Sequence, residues 1–272
     1  MTLPQPDSLQ ARIESYRCDA SGNDAVFDAL AAATDEIAYL KAHRDFVEQN
    51  DWGMGERAFP YMWLLVLKDC AERFGKVRLL EIGVFKGQTL SLWGMIGREE
   101  GIDVEISCIS PFAGNQPKLR WVRSFKKRFS KQYQAQKAAG SLYYDDDFLN
   151  ATRDIFERFA GDYGEVNVMR GLSTDRRILK QAARQNYEVV YIDGDHSFES
   201  VKSDIAWYAP LVVPGGYLVM DDASHFLPTE KYRDRQGYSG YESVGRACET
   251  IEPLGFANVL NIGHNRIYRK EV

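Results

Sequence analysis

From residue 77 onward, short apolar segments alternate with helix-like segments, and this alternation restricts the possible fold more than any other feature of the chain. Strands that are buried on both faces and connected through helices form a parallel sheet with helices on each side. Five segments have the length and composition of such strands, namely 77–82, 104–109, 166–169, 189–192 and 216–220. The pattern predicts a doubly wound α/β domain with a mostly parallel sheet.

Two further strands complete a predicted seven-stranded sheet. Segments 257–262 and 265–269 are joined by Gly263 and His264, and we expect them to form an antiparallel hairpin that closes the sheet. Upstream of the sheet, residues 24–48 and 57–74 show the apolar spacing of helices, and the second stretch stops at a glycine. The predicted organisation is therefore an N-terminal helical extension, residues 1–75, and an α/β domain, residues 76–272.

The connection at about 111–163 is too long for an ordinary crossover and is expected to be a helical insertion. Its stretch 118–137 is rich in Lys and Arg, and Trp121, Phe125 and Phe129 recur every four residues. This spacing predicts a lid helix whose aromatic stripe packs against the body while the cations face the solvent. Attraction of an anionic substrate is an alternative role for the cations.

The composition argues against several classes of function. A net charge of −5 and a pI of about 5.5 oppose a general affinity for nucleic acid or anionic membranes. Apolar runs fall short of the roughly 18 residues that span a bilayer, and the first residues lack the pattern of a secretory signal. The four cysteines show no paired spacing and are expected to be reduced thiols. We therefore expect a cytoplasmic protein without a nucleic-acid or membrane partner.

A glycine-rich turn follows the first predicted strand. The strand ends in Glu81, and the chain then passes through Gly83 and Gly87 into a helix. Glycine at such positions allows a ligand to approach the backbone closely. A dinucleotide-binding fingerprint would need glycine at positions 83, 85 and 88, but Phe85 and Gln88 occupy two of them. A nicotinamide oxidoreductase is excluded on this spacing.

The motif Glu-x-Gly-x-x-x-Gly resembles the first motif of class I S-adenosylmethionine-dependent methyltransferases, in which the acid and the glycine loop hold the amino-acid part of the donor. The resemblance implies S-adenosylmethionine as the cofactor. Where an acid normally binds the ribose at the second strand tip, this chain has Ser110, so we expect modest affinity. Ser173, after the third strand, either contacts adenine or only caps a helix. The expected cofactor-binding residues are Glu81, Gly83, Gly87, Thr89, Ser110, Ser173 and Asp193.

Acidic side chains follow two other predicted strands. Asp193, Asp195 and His196 come after the fourth strand, and Asp221 and Asp222 end the fifth. Because ligands bind at the carboxyl ends of parallel strands, these acids should converge in one crevice. Carboxylates that close repel one another unless a cation lies among them. Oxygen ligands without cysteine favour Mg²⁺, with Ca²⁺ or Mn²⁺ as alternatives.

Asp-Gly-Asp-His, followed by Pro-Gly-Gly and a strand-terminal Asp-Asp, resembles the metal-dependent sugar O-methyltransferases of the macrocin O-methyltransferase family over about residues 77–222. Relatives with these motifs include cephalosporin hydroxylase-like proteins. The resemblance implies metal ligation by Asp193, Asp221 and Asp222, and a general base at Asp195 or His196. It also implies methylation of a hydroxyl on a small molecule, with a sugar or glycosylated natural product as the expected acceptor. A phenol, catechol or other secondary metabolite remains an alternative, as does a non-catalytic partner protein with the same fold.

Aromatic side chains are candidates for contacts with the acceptor, because their faces stack on sugar and aromatic rings. The candidates are Trp52, Tyr232, Tyr238 and Tyr241. His225 could also reach the site, whereas His43 and His264 have no context that suggests a function. Apolar residues of the N-terminal helices need cover, so we expect a homo-oligomer.

Overall fold

The computed structural model describes residues 7–112, 119–131, 133–134, 148–224 and 240–271. In this part of the chain seven strands form one sheet in the order β3-β2-β1-β4-β5-β7-β6. The first five strands run parallel, and β7 lies antiparallel to both β5 and β6. The strands are β1 (Val77–Ile82), β2 (Val104–Ser110), β3 (Asn167–Arg170), β4 (Tyr187–Ile192), β5 (Val212–Met220), β6 (Phe256–Ile262) and β7 (Asn265–Lys270).

The predicted α/β class, the seven strands and the closing hairpin are confirmed. The largest difference in bounds is at β5, which begins at Val212, four residues before its predicted start. Val212 pairs with Tyr187, and the register then shifts before Val189 pairs with Tyr217. Gly215, with a φ of +77°, lies within this irregularity. The proline and glycines of the segment therefore mark a bulge inside the strand and not its start.

Helices cover both faces of the sheet, and none of those in the described residues has the length and apolar character needed to cross a bilayer. They are α1 (Leu9–Ser15), α2 (Ala20–Glu36), α3 (Ala38–Gln49), α4 (Phe59–Phe74), α5 (Gln88–Glu100), α6 (Arg120–Phe129), α7 (Phe148–Phe159), α8 (Arg176–Ala182), α9 (Phe198–Tyr208) and α10 (Glu242–Cys248).

The single helix predicted over residues 24–48 is wrong, because the segment forms two helices. Ile37 adopts an extended conformation between α2 and α3. No glycine or proline marks this break in the sequence. The break is explained by tertiary packing, because α2 packs on α4 and β6, whereas α3 packs on α4 and α5. One straight helix could not make both sets of contacts.

The N-terminal helices share a continuous core with the sheet. Trp63 of α4 and Trp93 of α5 are fully buried, with ring centroids 4.9 Å apart. Tyr191 of β4 completes this aromatic cluster, 5.2 Å from Trp63. Edge-to-face contacts of this kind stabilise a core by roughly 0.5–1.5 kcal/mol each beyond the area they bury. The extension thus holds one face of the strands that carry the site.

The prediction that the aromatic stripe of the insertion packs against the body is wrong. Trp121, Phe125 and Phe129 of α6 are 69%, 60% and 63% exposed. Helical spacing identifies an apolar face, but it does not determine which face meets the protein. The insertion also contains three consecutive acids, Asp145, Asp146 and Asp147, which lie outside the described residues.

Candidate active site

The carboxyl ends of β1, β2, β4 and β5 meet at one edge of the sheet, and backbone hydrogen bonds fix how they meet. The N–H of Gly83 donates to the carbonyl of Ile109 (2.9 Å), and that of Asp193 donates to the carbonyl of Ile82 (2.8 Å). The N–H of Asp221 donates in turn to the carbonyl of Ile192 (3.0 Å). The first residues after β1, β4 and β5 are therefore each held against the end of a neighbouring strand, as the strand-end rule predicts.

The glycine turn after β1 lies directly against the end of β4. A Cβ at Gly83 would lie 2.0 Å from the carbonyl oxygen of Asp193, and Gly83 has a φ of +98°. Gly87 has a φ of +83°, and a Cβ there would lie 2.6 Å from Thr152 of α7. Both glycines are thus required by backbone conformation and by contacts within the protein, in addition to the predicted ligand approach.

Glu81, at the end of β1, is a buried acid with an incomplete set of hydrogen bonds. Burial raises its pKa to about 8, a hydrogen bond from the Thr89 side chain lowers it, and the charge of Asp221 raises it. Among the described residues no donor reaches its Oε2. A positively charged amine at this position would supply the missing donor and favour the ionised carboxylate.

The side chains of the two serines predicted to contact the donor both form hydrogen bonds within the protein. The Ser110 hydroxyl donates to the carbonyl of Val84 (2.9 Å) and accepts from the N–H of Phe112 (3.2 Å). The Ser173 side chain hydrogen-bonds to Asp204, a buried acid of α9 whose pKa is raised by burial to about 7. The contacts of these serines with ribose and adenine stay predictions.

Asp193, Asp221 and Asp222 converge. The side chains of Asp193 and Asp221 hydrogen-bond to each other, and burial together with the neighbouring carboxylates raises the pKa of Asp193 far above its usual value. Ligand atoms of Asp193, His196 and Asp222 lie within 4.8 Å of one another, and so do those of Asp221, Asp222 and His264. We call these five residues the acid cluster. Asp222 belongs to both groups, so the cluster is continuous.

His264 is the residue that the sequence interpretation missed. Its Nε2 lies 3.1 Å from Asp221 Oδ1, and its Nδ1 lies 3.7 Å from Glu56 Oε1. Burial lowers its pKa, but the charges of Asp221 and Glu56 raise the pKa to about 10. The same histidine keeps the pKa of Asp221 below its usual value, although burial alone would raise it. The predicted hairpin could have indicated this histidine, because the pairing of β7 with β5 brings the turn at 263–264 beside the end of β5.

His196 and Asp195 have different partners. His196 Nε2 lies 3.0 Å from Asp222 Oδ2, and its ring stacks on Tyr241 with centroids 4.4 Å apart. Asp195 Oδ2 instead accepts from the hydroxyls of Ser197 (2.7 Å) and Ser200 (2.8 Å) at the start of α9. The geometry thus brings His196 into the acid cluster and ties Asp195 to a helix end.

The other side chains singled out in the sequence are partly accounted for. Trp52 donates from Nε1 to the carbonyl of Lys86 (3.1 Å), so it supports the glycine turn from the N-terminal extension. His43 is buried with its Nε2 2.9 Å from Ser91 Oγ, and burial lowers its pKa to about 3. It is a neutral core histidine. Tyr232, Tyr238 and His225 lie outside the described residues.

Sheet order, glycine turn and acidic strand ends together define an α/β methyltransferase fold. The chain belongs to the methyltransferase domain family, whose model matches residues 80–223. Among solved structures, the O-methyltransferase NovP is 15% identical, with 78% of this chain and 79% of NovP covered and a TM-score of 0.55. Podospora anserina methyltransferase PaMTH1, with bound S-adenosylhomocysteine, is 12% identical over 92% and 97% of the chains (TM-score 0.53).

The calicheamicin methyltransferase CalS11 is also 12% identical, with 99% of each chain covered and a TM-score of 0.53. At these identities the likeness establishes the fold alone. A search of curated proteins found no match to the chain.

Proposed function

We propose that the chain is an S-adenosylmethionine-dependent O-methyltransferase that methylates a hydroxyl of a small molecule, with a sugar or glycosylated natural product as the first acceptor class to test. One contact carries the proposal. Gly83 of the glycine turn is packed against the backbone of Asp193, so a donor held by the turn lies next to the acid cluster. Methyl transfer needs donor and acceptor held together, and such positioning supplies much of the rate gain.

The residues proposed to hold the donor surround the end of β1. Glu81 is suited to the amino group of the donor, because its Oε2 is buried and accepts no hydrogen bond from the residues that the structure describes. Thr89 orients this carboxylate through its own hydrogen bond. Trp52 and Lys86 hold the turn from outside, since Lys86 Nζ also donates to the carbonyl of Asp51 (2.7 Å).

The acid cluster fits a divalent cation. Burial and the charges of Asp221 and Asp222 raise the pKa of Asp193, and a divalent cation among the three carboxylates would relieve this repulsion. Asp193, Asp221 and Asp222 would hold the ion, in agreement with the predicted ligands. A divalent cation held there would lower the pKa of the acceptor hydroxyl and help to orient it.

His196 is the better general base of the two predicted candidates. In the tautomer that donates Nε2–H to Asp222, the lone pair of its imidazole is on Nδ1, where it can accept the hydroxyl proton. The stacked Tyr241 ring limits rotation of the imidazole. The carboxylate of Asp195 already accepts hydrogen bonds from two serine hydroxyls at the start of α9, so it is less available to take a proton from the acceptor.

Transfer of a labelled methyl group tests the proposal. The wild type is incubated with S-adenosylmethionine and Mg²⁺ against a panel of hydroxylated glycosides, phenols and catechols. We expect a methyl ether on a glycoside, loss of transfer in excess EDTA, and at least 100-fold slower turnover in Asp221→Asn, with S-adenosylhomocysteine binding retained. The exposed helix residue Asp154 provides the matched control Asp154→Asn, which should behave as wild type.

Each contrary outcome removes a different part of the proposal. Full activity in EDTA contradicts the metal role. Transfer confined to phenols or catechols moves the acceptor to that class. Failure to bind S-adenosylhomocysteine contradicts the assignment of the donor site.

A further inference from the structure

We infer that His264 is a nitrogen ligand of the divalent cation, oriented by Glu56, and that the site therefore prefers a first-row transition ion such as Mn²⁺ or Co²⁺ to Mg²⁺. The inference deepens the proposed function and rests on its metal site. The motifs that suggested Mg²⁺ contain none of the residues responsible, because Glu56 and His264 lie before and after the matched region.

Three separate elements build a carboxylate–histidine–carboxylate line. Glu56 comes from the loop before α4, His264 from the β6–β7 turn, and Asp221 from the end of β5. Glu56 Oε1 is 3.7 Å from His264 Nδ1, and His264 Nε2 is 3.1 Å from Asp221 Oδ1. A histidine that binds a metal through one nitrogen commonly directs the other toward a carboxylate, which fixes the ring and increases its basicity. Glu56 lies where the carboxylate that orients the ring is expected, beside the nitrogen that would not bind the metal.

The turn is shaped to admit Glu56. A Cβ at Gly263 would lie 1.6 Å from Glu56 Oε2, and Gly263 has a φ of +62°. Any other residue at 263 would push the carboxylate away from the histidine and adopt an unfavourable backbone conformation. The carbonyl of His264 also accepts from the N–H of Ala223 (2.7 Å), which anchors the turn to the residue after Asp222.

The two histidines of the acid cluster have environments suited to different tasks. His264 is buried and lies between two carboxylates, so its ring is fixed. His196 instead contacts Asp222 through Nε2, and its ring is stacked on Tyr241. A metal ligand benefits from a carboxylate that orients its second nitrogen, and Glu56 lies in that position at His264. We therefore assign ligation to His264 and leave proton transfer to His196.

The donor set determines which ion binds. Carboxylate oxygens alone suit Mg²⁺, whereas an added imidazole shifts the preference toward first-row transition ions, in the order Mn²⁺, Fe²⁺, Co²⁺. Ligand atoms of Asp221, Asp222 and His264 already lie within 4.8 Å of one another.

Electron spin echo spectroscopy of the Mn²⁺-loaded full-length protein tests the assignment without reference to turnover, since a ligated histidine produces ¹⁴N modulation of the Mn²⁺ signal. We expect modulation in the wild type, its loss in His264→Gln, and its retention in His196→Gln. In calorimetric titrations the wild type should bind Co²⁺ at least about 10-fold more tightly than Mg²⁺, and His264→Gln should lose most of this preference.

Absence of modulation in the wild type, its persistence in His264→Gln, or its loss in His196→Gln overturns the inference. The result with His196→Gln decides the matter even if His264→Gln fails to fold. Glu56→Gln offers a milder probe, with modulation kept and metal affinity reduced roughly 10-fold. A wild type that binds no divalent cation contradicts the metal part of the proposed function, whereas Mn²⁺ binding without ¹⁴N modulation contradicts only the role of His264.

Discussion

Gly83→Ala should disrupt the junction between the donor turn and the acid cluster. The new methyl group would lie 2.0 Å from the carbonyl oxygen of Asp193 and 2.5 Å from the Cα of Gly194. Both are backbone atoms, so no side-chain rotation relieves the collision. The ends of β1 and β4 must separate, and the hydrogen bond from the N–H of Asp193 to the carbonyl of Ile82 must lengthen.

Two effects contribute to the loss of stability. A non-glycine residue at a φ of +98° costs about 1–2 kcal/mol, and overpacking against backbone costs a further 1–3 kcal/mol. The free energy of unfolding should fall by roughly 2–5 kcal/mol, which corresponds to a decrease in Tm of roughly 4–20 °C for a chain of this size. Displacement of Asp193 should also weaken the binding of S-adenosylhomocysteine and Mn²⁺.

Thermal unfolding with a matched control separates the two effects. Gly255 has a similar φ of +84°, but no described atom lies within 4 Å of a Cβ built there. Gly255→Ala therefore pays the conformational cost of about 1–2 kcal/mol without a collision. If Gly83→Ala is no less stable than Gly255→Ala, the close approach of the turn to Asp193 is not a feature of the folded protein.

Two further predictions concern the surroundings of the donor. Because the pKa of Glu81 is about 8 in the folded chain and 4.5 ordinarily, its burial reduces the free energy of unfolding as pH rises between these values. In urea unfolding, the free energy of unfolding of Glu81→Gln minus that of the wild type should therefore be larger at pH 8 than at pH 5. The variant should also bind S-adenosylhomocysteine more weakly. A difference in stability that does not change with pH contradicts the raised pKa of Glu81. Trp52→Phe removes the hydrogen bond to the Lys86 carbonyl and should cost about 0.5–1.5 kcal/mol with weaker donor binding, whereas Trp207→Phe, at an exposed position, should change neither quantity.

The sheet and the convergence of acids were predictable from local patterns. Buried apolar segments of strand length fixed the strand number, and the rule that parallel strands present their carboxyl ends at one edge placed Asp193 next to Asp221 and Asp222. These inferences need only the period of a strand and the direction of its neighbours.

The features that could not be predicted from the sequence depend on contacts between distant segments. Glu56 and His264 are more than 200 positions apart and meet only because the N-terminal extension and the final hairpin pack beside the end of β5. The helix is interrupted at Ile37 because of tertiary packing, and no neighbouring residue in the sequence predicts this break. The stripe at Trp121 shows the reverse problem, since periodicity defined the apolar face of α6 correctly but not the direction in which it points.

Crystallography with both ligands present tests the central claim most directly, by soaking the protein with S-adenosylhomocysteine and Mn²⁺ and collecting data at the manganese absorption edge. We predict one anomalous peak bonded to Asp193, Asp221 and Asp222, with the amino group of the nucleoside ligand at Glu81 and its chain along the turn from Gly83 to Gly87. A peak at another place, or a nucleoside bound away from this turn while the three carboxylates remain without an ion, would contradict the account.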